Sequence, residues 1–170
     1  IYPVASRPRG LPSLAARRIS CDYGTTNPTV FLDVYDDGER VWVDREYRWD
    51  SREKRAQKTD SEYADDLMEF MGDDPQFLCP VIVDPSAASF IAELRRRGVY
   101  VIEGNNDVLD GIRRTAQLFS RRALLVSESC EGLIGELGSY VWDEKSAKMG
   151  VEKPVKTKDH GPDALRYYVN

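Results

Sequence analysis

The order of the predicted strands and helices most constrains how this chain can fold. Three strands come first, at about 17–22, 28–36 and 40–49, and the turn residues Asp36-Asp37-Gly38 join the last two. Helices and strands then alternate: helix 59–71, strand 79–83, helix 86–97, strand 99–102, helix 107–119, strand 123–126, helix 130–141 and a closing helix. The sequence therefore predicts an α/β fold with a mixed central sheet, three antiparallel strands and then parallel strands, flanked by helices.

Length and composition are those of one globular domain. The chain has 170 residues, of which 41% are hydrophobic and 31% charged, enough for a substantial core. No apolar run approaches the roughly 20 residues that span a bilayer, and no signal peptide is visible. We predict a linker or arm at 1–16, where prolines and a glycine cluster, and the domain at 17–170. The start at Ile1 suggests a piece of a larger protein.

Cysteine usage indicates a reducing compartment. Cys21 and Cys79 lie in predicted strands and Cys130 lies near a helix start, with no paired spacing typical of a metal site. We therefore expect buried, reduced thiols in a cytosolic protein.

The charge is unevenly distributed along the chain. A net charge of −5 argues mildly against nucleic-acid binding, because such domains usually carry a basic excess. Yet a lysine-rich segment at 143–158, predicted as a basic hairpin or loop, leads directly into the closing helix, and it could hold a phosphate backbone there. The candidate DNA-binding residues are Lys145, Lys148, Lys153, Lys156 and Lys158.

Three aspartates are candidates for one site. Asp22 follows the first predicted strand, and Asp84 follows Cys79-Pro80-Val81-Ile82-Val83, a short apolar run typical of a buried strand. Asp163 comes three residues after His160, the one histidine of the sequence, and residues at this spacing share a helix face. Ligand sites of open α/β sheets lie at the carboxyl ends of strands. The site is plausible if the closing helix crosses that edge.

Each of these residues also has an ordinary structural interpretation. Asp163 suits a helix N-terminus because of the dipole, Asp84 could cap the helix at 86–97, and Asp22 could shape the turn before Gly24. His160 could be a surface histidine. Their joint occurrence favours a common site, because the order of elements predicts that the acids converge.

The order of elements is the plan of the ribonuclease H-like fold, in which the first and fourth strands lie side by side. The chain resembles the C-terminal nuclease domain of a tailed-bacteriophage terminase large subunit, a DNA-packaging motor. The resemblance covers about residues 17–170 and rests on Asp22-Tyr23-Gly24, Val83-Asp84-Pro85-Ser86-Ala87, Glu136-Leu137-Gly138-Ser139-Tyr140-Val141-Trp142 and His160-Gly161-Pro162-Asp163-Ala164-Leu165-Arg166-Tyr167. The closing pattern is its most specific part.

The resemblance implies an endonuclease that cleaves double-stranded concatemeric viral DNA during genome packaging. It assigns divalent-metal binding and catalysis to Asp22, Asp84 and Asp163, and an auxiliary role to His160 or Asp159. It also implies the host cytoplasm as location, an N-terminal ATPase domain of the same protein preceding the linker, and the small terminase subunit and portal protein as partners.

Phosphodiester cleavage explains why such a site needs several carboxylates. Two cations about 3.5–4 Å apart activate a water and stabilise the leaving oxygen, and Mg²⁺ or Mn²⁺ prefers oxygen ligands. We expect two ions, with Asp22 bridging them, Asp84 binding one and Asp163 the other, while His160 orients or deprotonates water. Without metal, repulsion should raise the pKa of the carboxyls.

Two other classes of function remain open from the sequence. Asp22-Tyr23-Gly24-Thr25-Thr26 resembles the first phosphate loop of actin-like and sugar-kinase nucleotide-binding modules, but these need two domains and a second glycine-rich loop. The chain also has no Gly-x-x-x-x-Gly-Lys-Ser/Thr motif. A catalytically silent domain that docks on DNA or a portal is the other alternative. A junction resolvase or transposase core would use similar acids, but the closing motif favours a terminase.

Overall fold

The computed structural model describes residues 1, 16–72, 79–139 and 159–170. These residues form a six-stranded sheet in the order β5-β4-β1-β2-β3-β6. The strands are β1 (Ala16–Asp22), β2 (Thr29–Asp36), β3 (Val41–Trp49), β4 (Val81–Val83), β5 (Val101–Glu103) and β6 (Leu124–Val126). β1, β2 and β3 pair antiparallel, whereas β4 pairs parallel with β1, β5 with β4 and β6 with β3. The predicted mixed sheet is confirmed.

The helices of the described ranges begin and end where local chemistry favours it. They are α1 (Ser51–Lys54), α2 (Asp60–Met71), α3 (Ala88–Arg96), α4 (Val108–Ser120), α5 (Glu131–Ser139) and α6 (His160–Val169). Thr59 and Glu62 form a capping box at the start of α2, and Asp107 caps α4. Gly98 follows α3 with a φ of 83°, a left-handed conformation that glycine adopts without steric cost. None of these helices is long and apolar enough to cross a membrane.

Alternating side chains on the central strands build a core on each face of the sheet. On one face Cys21 and Phe31 pack among residues of α2 and α3. On the other face Leu32 of β2 packs with Leu133 of α5 and Leu165 of α6. Helix α6 therefore belongs to the core, and the groups at its start are positioned by packing along its length.

The sequence predictions hold for most elements and fail for one. No element was expected between the third strand and the helix at 59–71, yet α1 forms there. Asp50 accepts hydrogen bonds from the backbone N–H groups of Arg52 and Glu53 and so caps α1. The expectation of buried, reduced thiols is confirmed, since all three cysteines are free and buried. Residues 2–15 of the predicted arm and the lysine-rich segment lie outside the described residues.

A buried ion-pair network ties the sheet to α2. Asp33 of β2 is fully buried and accepts hydrogen bonds from Arg17 Nε at 2.7 Å and from Arg45 Nη2 at 2.6 Å. Arg17 also donates to the carbonyl of Met71 at the end of α2, at 2.9 Å, where helical carbonyls lack intrahelical partners. Burial by itself would lower the pKa of Arg17, but the hydrogen bond and charge of Asp33 raise it. Arg17 therefore stays charged inside the fold.

Replacing Asp33 tests this network. The Asp33→Ala variant removes the carboxylate that pairs with Arg17, whose side chain is 8% exposed. We expect the free energy of unfolding to fall by about 3–5 kcal/mol, measured by urea denaturation. The control is Glu103→Gln, which breaks a pair with Arg95 whose two side chains are 52% and 50% exposed and should cost less than about 1 kcal/mol. Equal losses in the two variants would contradict the assignment.

Candidate active site

Two aspartates leave neighbouring strands at the same edge of the sheet. β1 and β4 run parallel, with Cys21 paired to Val83. Asp22 and Asp84 directly follow these two residues and line the same cleft. The predicted adjacency of the first and fourth strands is confirmed, and it puts both carboxylates where open α/β sheets bind ligands.

Helix α6 lies across the ends of these two strands. Nδ1 of His160 lies 2.9 Å from Oδ2 of Asp22. About two turns further along the helix, the hydroxyl of Tyr167 donates to Oδ2 of Asp84 at 2.5 Å. The helix thus contacts both strand-end aspartates.

Asp163 belongs to the same helix, one turn after His160, as the sequence predicts. Its Oδ1 accepts a hydrogen bond from Nε of Arg166 at 3.2 Å. Ser20 of β1 fixes the helix to the sheet here, because its hydroxyl donates to the carbonyl of Ala164 at 2.5 Å. Asp163 therefore has a defined position beside β1.

Asp84 is held by three donors and is not the cap of the helix that follows it. Besides Tyr167, the backbone N–H of Ser86 donates to Oδ1 at 2.8 Å and the side-chain amide of Asn106 donates to Oδ1 at 3.2 Å. Helix α3 begins only at Ala88, and its N-cap residue Ala87 has no side-chain capping bond. The capping interpretation of Asp84 is wrong, because the chain makes a further turn before the helix starts.

The turn after Asp22 is explained by close backbone packing. A Cβ on Gly24 would lie 2.8 Å from the carbonyl oxygen of Asn27, so only glycine fits. The Thr29 hydroxyl donates to the carbonyl of Gly24 at 2.9 Å and closes the turn. This glycine is required by the turn itself, independently of any phosphate loop.

The three aspartates and His160 line one open cleft of about 990 Å³. Carboxylates outnumber arginines on its wall, so negative charge collects there. The other charged residues of the wall are Arg48, Asp50, Arg52, Glu53, Glu136, Asp159 and Arg166.

Burial and repulsion make two of the carboxyls less acidic than usual. Burial raises the pKa of Asp163 to about 6; Arg166 opposes this rise, and the charges of Asp22 and Asp159 add to it. Burial likewise raises the pKa of Asp22, against the lowering effect of its hydrogen bond to His160. A cation in the cleft would favour the ionised form of both groups.

The pKa values of Asp84 and His160 are shifted in directions that the sequence does not indicate. Burial would raise the pKa of Asp84, but the hydrogen bonds from Tyr167, Ser86 and Asn106 lower it. The expectation that repulsion raises the pKa of all three carboxyls is therefore wrong for Asp84, because donors stabilise its charge. The hydrogen bond to Asp22 raises the pKa of His160, so the imidazole takes up a proton more readily than a free histidine.

The donor set of the cleft suits a hard divalent cation. Carboxylate oxygens are preferred ligands of Mg²⁺ and Mn²⁺, and those of Asp22, Asp84 and Asp163 line one wall. In the described arrangement each of them accepts a hydrogen bond from a residue of α6 instead. Across the described ranges, no three His, Cys, Asp or Glu side chains are grouped to hold a metal ion. Their assignment as metal ligands therefore stays a prediction.

Several residues of the cleft were not identified from the sequence. Tyr167 appeared there only as part of a motif, although its position seven residues after His160 places it near the same helix face. Asn106 and Arg48 gave no local signal, and Glu136 appeared only as the first residue of a motif. Arg48 and Glu136 lie 88 residues apart and meet only in the folded chain. The five lysines predicted to bind DNA lie outside the described residues.

Comparison with known proteins gives matches among solved structures. No protein-family model matches the chain, and no curated protein sequence matches it. The large terminase of a thermophilic bacteriophage, solved in complex with ADP, is 46% identical with a TM-score of 0.91, and the match covers 99% of this chain and 41% of that chain. The chain thus spans about two fifths of the length of the ADP-bound terminase.

Two isolated nuclease domains share the fold at lower identity. The nuclease domain of the P22 large terminase matches with 18% identity and a TM-score of 0.73, over 93% of this chain and 82% of that one. The large terminase nuclease from the thermophilic phage G20c with bound magnesium matches with 15% identity and a TM-score of 0.68, over 90% and 79%. The predicted resemblance is confirmed: the chain is related to phage large terminases and has the ribonuclease H-like fold of the terminase nuclease domain.

Proposed function

We propose that this chain is a divalent-metal-dependent endonuclease that cleaves double-stranded DNA. One observation carries the proposal: the parallel pairing of β1 with β4, together with α6 lying across their ends, brings Asp22, Asp84, Asp163 and His160 to a single cleft. The relation to the ADP-bound phage terminase supports it. The G20c nuclease structures with bound magnesium and with bound cobalt support the use of a divalent metal.

Asp22, Asp84 and Asp163 would hold the metal, as two ions of Mg²⁺ or Mn²⁺. Bound there, the ions supply an activated water and stabilise the negative charge that develops on the phosphate. The protein would supply the three carboxylates from the wall of one cleft. The sheet positions Asp22 and Asp84, and the closing helix adds Asp163.

His160 would orient the attacking water or accept its proton. Its Nδ1 lies beside Asp22, and a carboxylate partner fixes the tautomer and orientation of an imidazole. Nε2 is then the nitrogen that exchanges a proton at the cleft. Asp159, at the N-cap position of α6, lines the same cleft and adds negative charge close to Asp22 and Asp163.

The biological setting that we propose is the packaging of a phage genome. The substrate would be concatemeric viral DNA in the host cytoplasm, and an ATPase domain of the same protein would drive translocation. The small terminase subunit and the portal protein are the expected partners. Lys145, Lys148, Lys153, Lys156 and Lys158 would contact the phosphate backbone next to the cleft.

Substitution of single aspartates tests the nuclease assignment. Asp22→Asn, Asp84→Asn and Asp163→Asn each remove a negative oxygen ligand with little change in volume. We expect each to lower the rate of plasmid cleavage in Mg²⁺ or Mn²⁺ by roughly 10³-fold or more, with an unchanged circular dichroism spectrum. Glu39→Gln is the control, because Glu39 is exposed in the turn between β2 and β3, at the other end of β2 from Val30, which pairs with Asp22. Cleavage at the wild-type rate by any aspartate variant would remove that residue from the site.

Metal binding can be tested without DNA. A ligand that binds only the folded state stabilises it by about 2.7 kcal/mol at 100 times its Kd, so Mg²⁺ or Mn²⁺ should raise the Tm of the wild type and raise that of Asp163→Asn less. Ligation needs the ionised carboxylate, and the pKa of Asp163 is about 6. The metal-induced rise in Tm should therefore be larger at pH 7.5 than at pH 5. An equal rise at both pH values, or in both proteins, would contradict metal ligation by Asp163.

A further inference from the structure

A bidentate ion pair beside the cleft joins the sheet to α5. Arg48 of β3 donates from Nη1 and Nη2 to Oε1 and Oε2 of Glu136, both at 2.8 Å. Arg48 also donates to Glu46, two residues earlier on the same strand face, at 3.1 Å. Glu46 in turn accepts the backbone N–H of Leu133 at 3.0 Å. The fork geometry fixes the direction of the Glu136 carboxylate.

Glu136 also caps α6 from another helix. The first N–H groups of a helix have no intrahelical acceptor, and Asp159 at the N-cap position makes no side-chain capping bond. Instead, Oε2 of Glu136 accepts the backbone N–H of Gly161 at 2.7 Å. Gly161 follows His160 directly, so this bond holds the backbone from which the imidazole reaches Asp22.

Two glycines leave room for the side chains of Arg48, Glu46 and Glu136. A Cβ on Gly132 would lie 2.6 Å from Nε of Arg48 and 2.7 Å from Oε1 of Glu46, and a Cβ on Gly161 would lie 2.9 Å from Oε2 of Glu136. All three separations are shorter than Cβ contacts in real proteins. The Glu136 side chain is 9% exposed and that of Arg48 26%, so the pair is more enclosed than a surface ion pair, whose partners are held loosely.

We propose that Arg48 and Glu136 are positioning residues for the site: their ion pair holds the first turn of α6 so that His160 stays against Asp22. Arg48 orients Glu136, and Glu136 holds Gly161 next to the histidine. In this role neither side chain touches the reacting atoms. The effect on cleavage rests on the nuclease function proposed above, whereas the effect on the position of His160 does not.

The single histidine of the sequence provides a direct readout. The ¹⁵N resonances of imidazole report tautomer and hydrogen bonding, and in this chain they come from His160 alone. Glu136→Ala removes the acceptor of the Gly161 N–H, so we expect a shifted Nδ1 resonance and a turnover number about 10–100-fold lower, with a smaller change in the KM for DNA. Glu136→Gln keeps one oxygen that can accept the Gly161 N–H but loses the bidentate ion pair with Arg48, so it should restore both properties only in part.

A matched control separates positioning from a general loss of stability. Asp66→Asn breaks an ion pair with Lys58 in which both side chains are about one fifth exposed, at 21% and 19%. Asp66 belongs to α2, which packs on the opposite face of the sheet from α6. This variant should lose stability without changing the His160 resonances or the turnover number.

Unchanged His160 resonances and wild-type turnover in folded Glu136→Ala would overturn the proposal. If Glu136→Ala does not fold, Arg48→Lys is the test variant, because lysine keeps the positive charge but cannot make the bidentate bond to Glu136. Unchanged His160 resonances and turnover in Arg48→Lys would equally overturn the proposal. A wild-type chain that does not cleave DNA with any divalent metal would contradict the nuclease function instead. The resonances of His160 would then still test the positioning role.

Discussion

The parallel pairing of β1 with β4 is the constraint on which the candidate site depends. It fixes Cys21 opposite Val83, and the next residue of each strand is an aspartate. The two strands come from distant parts of the sequence. Main-chain hydrogen bonds between them set the relative position of the two aspartates, and no side-chain contact is needed for this. His160 and Asp163 are then placed relative to this pair by one helix, α6.

The cleft brings together negatively charged carboxylates, which repel one another. Burial raises the pKa of Asp22 and of Asp163, which means that the fold holds these carboxylates where ionisation is unfavourable. Hydrogen bonds from His160 to Asp22 and from Arg166 to Asp163 offset part of this cost, and Tyr167 donates to the third carboxylate, Asp84. Each of these donors occupies one oxygen of its aspartate, so a bound cation and helix α6 would share the carboxylates of the site.

Much of the architecture and of the site could be predicted from the sequence, because the signals are local. A short apolar run marked β4, and the turn or helix residues that follow Asp22 and Asp84 marked these two aspartates as strand ends. Helix α1 was missed because a single helical turn shows no detectable periodicity in the sequence. The helix is stabilised by Asp50, whose side chain caps its N-terminus. The ion pair of Arg48 with Glu136 could not be predicted either, since each is an ordinary charged residue until β3 and α5 pack together.

The separation of the site groups along the chain has a consequence for folding. His160 lies 138 residues from the aspartate that it contacts, and Tyr167 lies 83 residues from Asp84. Contacts between residues so far apart in the sequence form slowly, because the entropy of closing a long loop is lost before the contact stabilises the chain. A chain in which only β1, β2 and β3 were paired would lack β4 and α6, and with them Asp84, His160 and Asp163. The candidate site therefore exists only in the fully folded chain, because any opening of α6 would remove His160 and Asp163 from it.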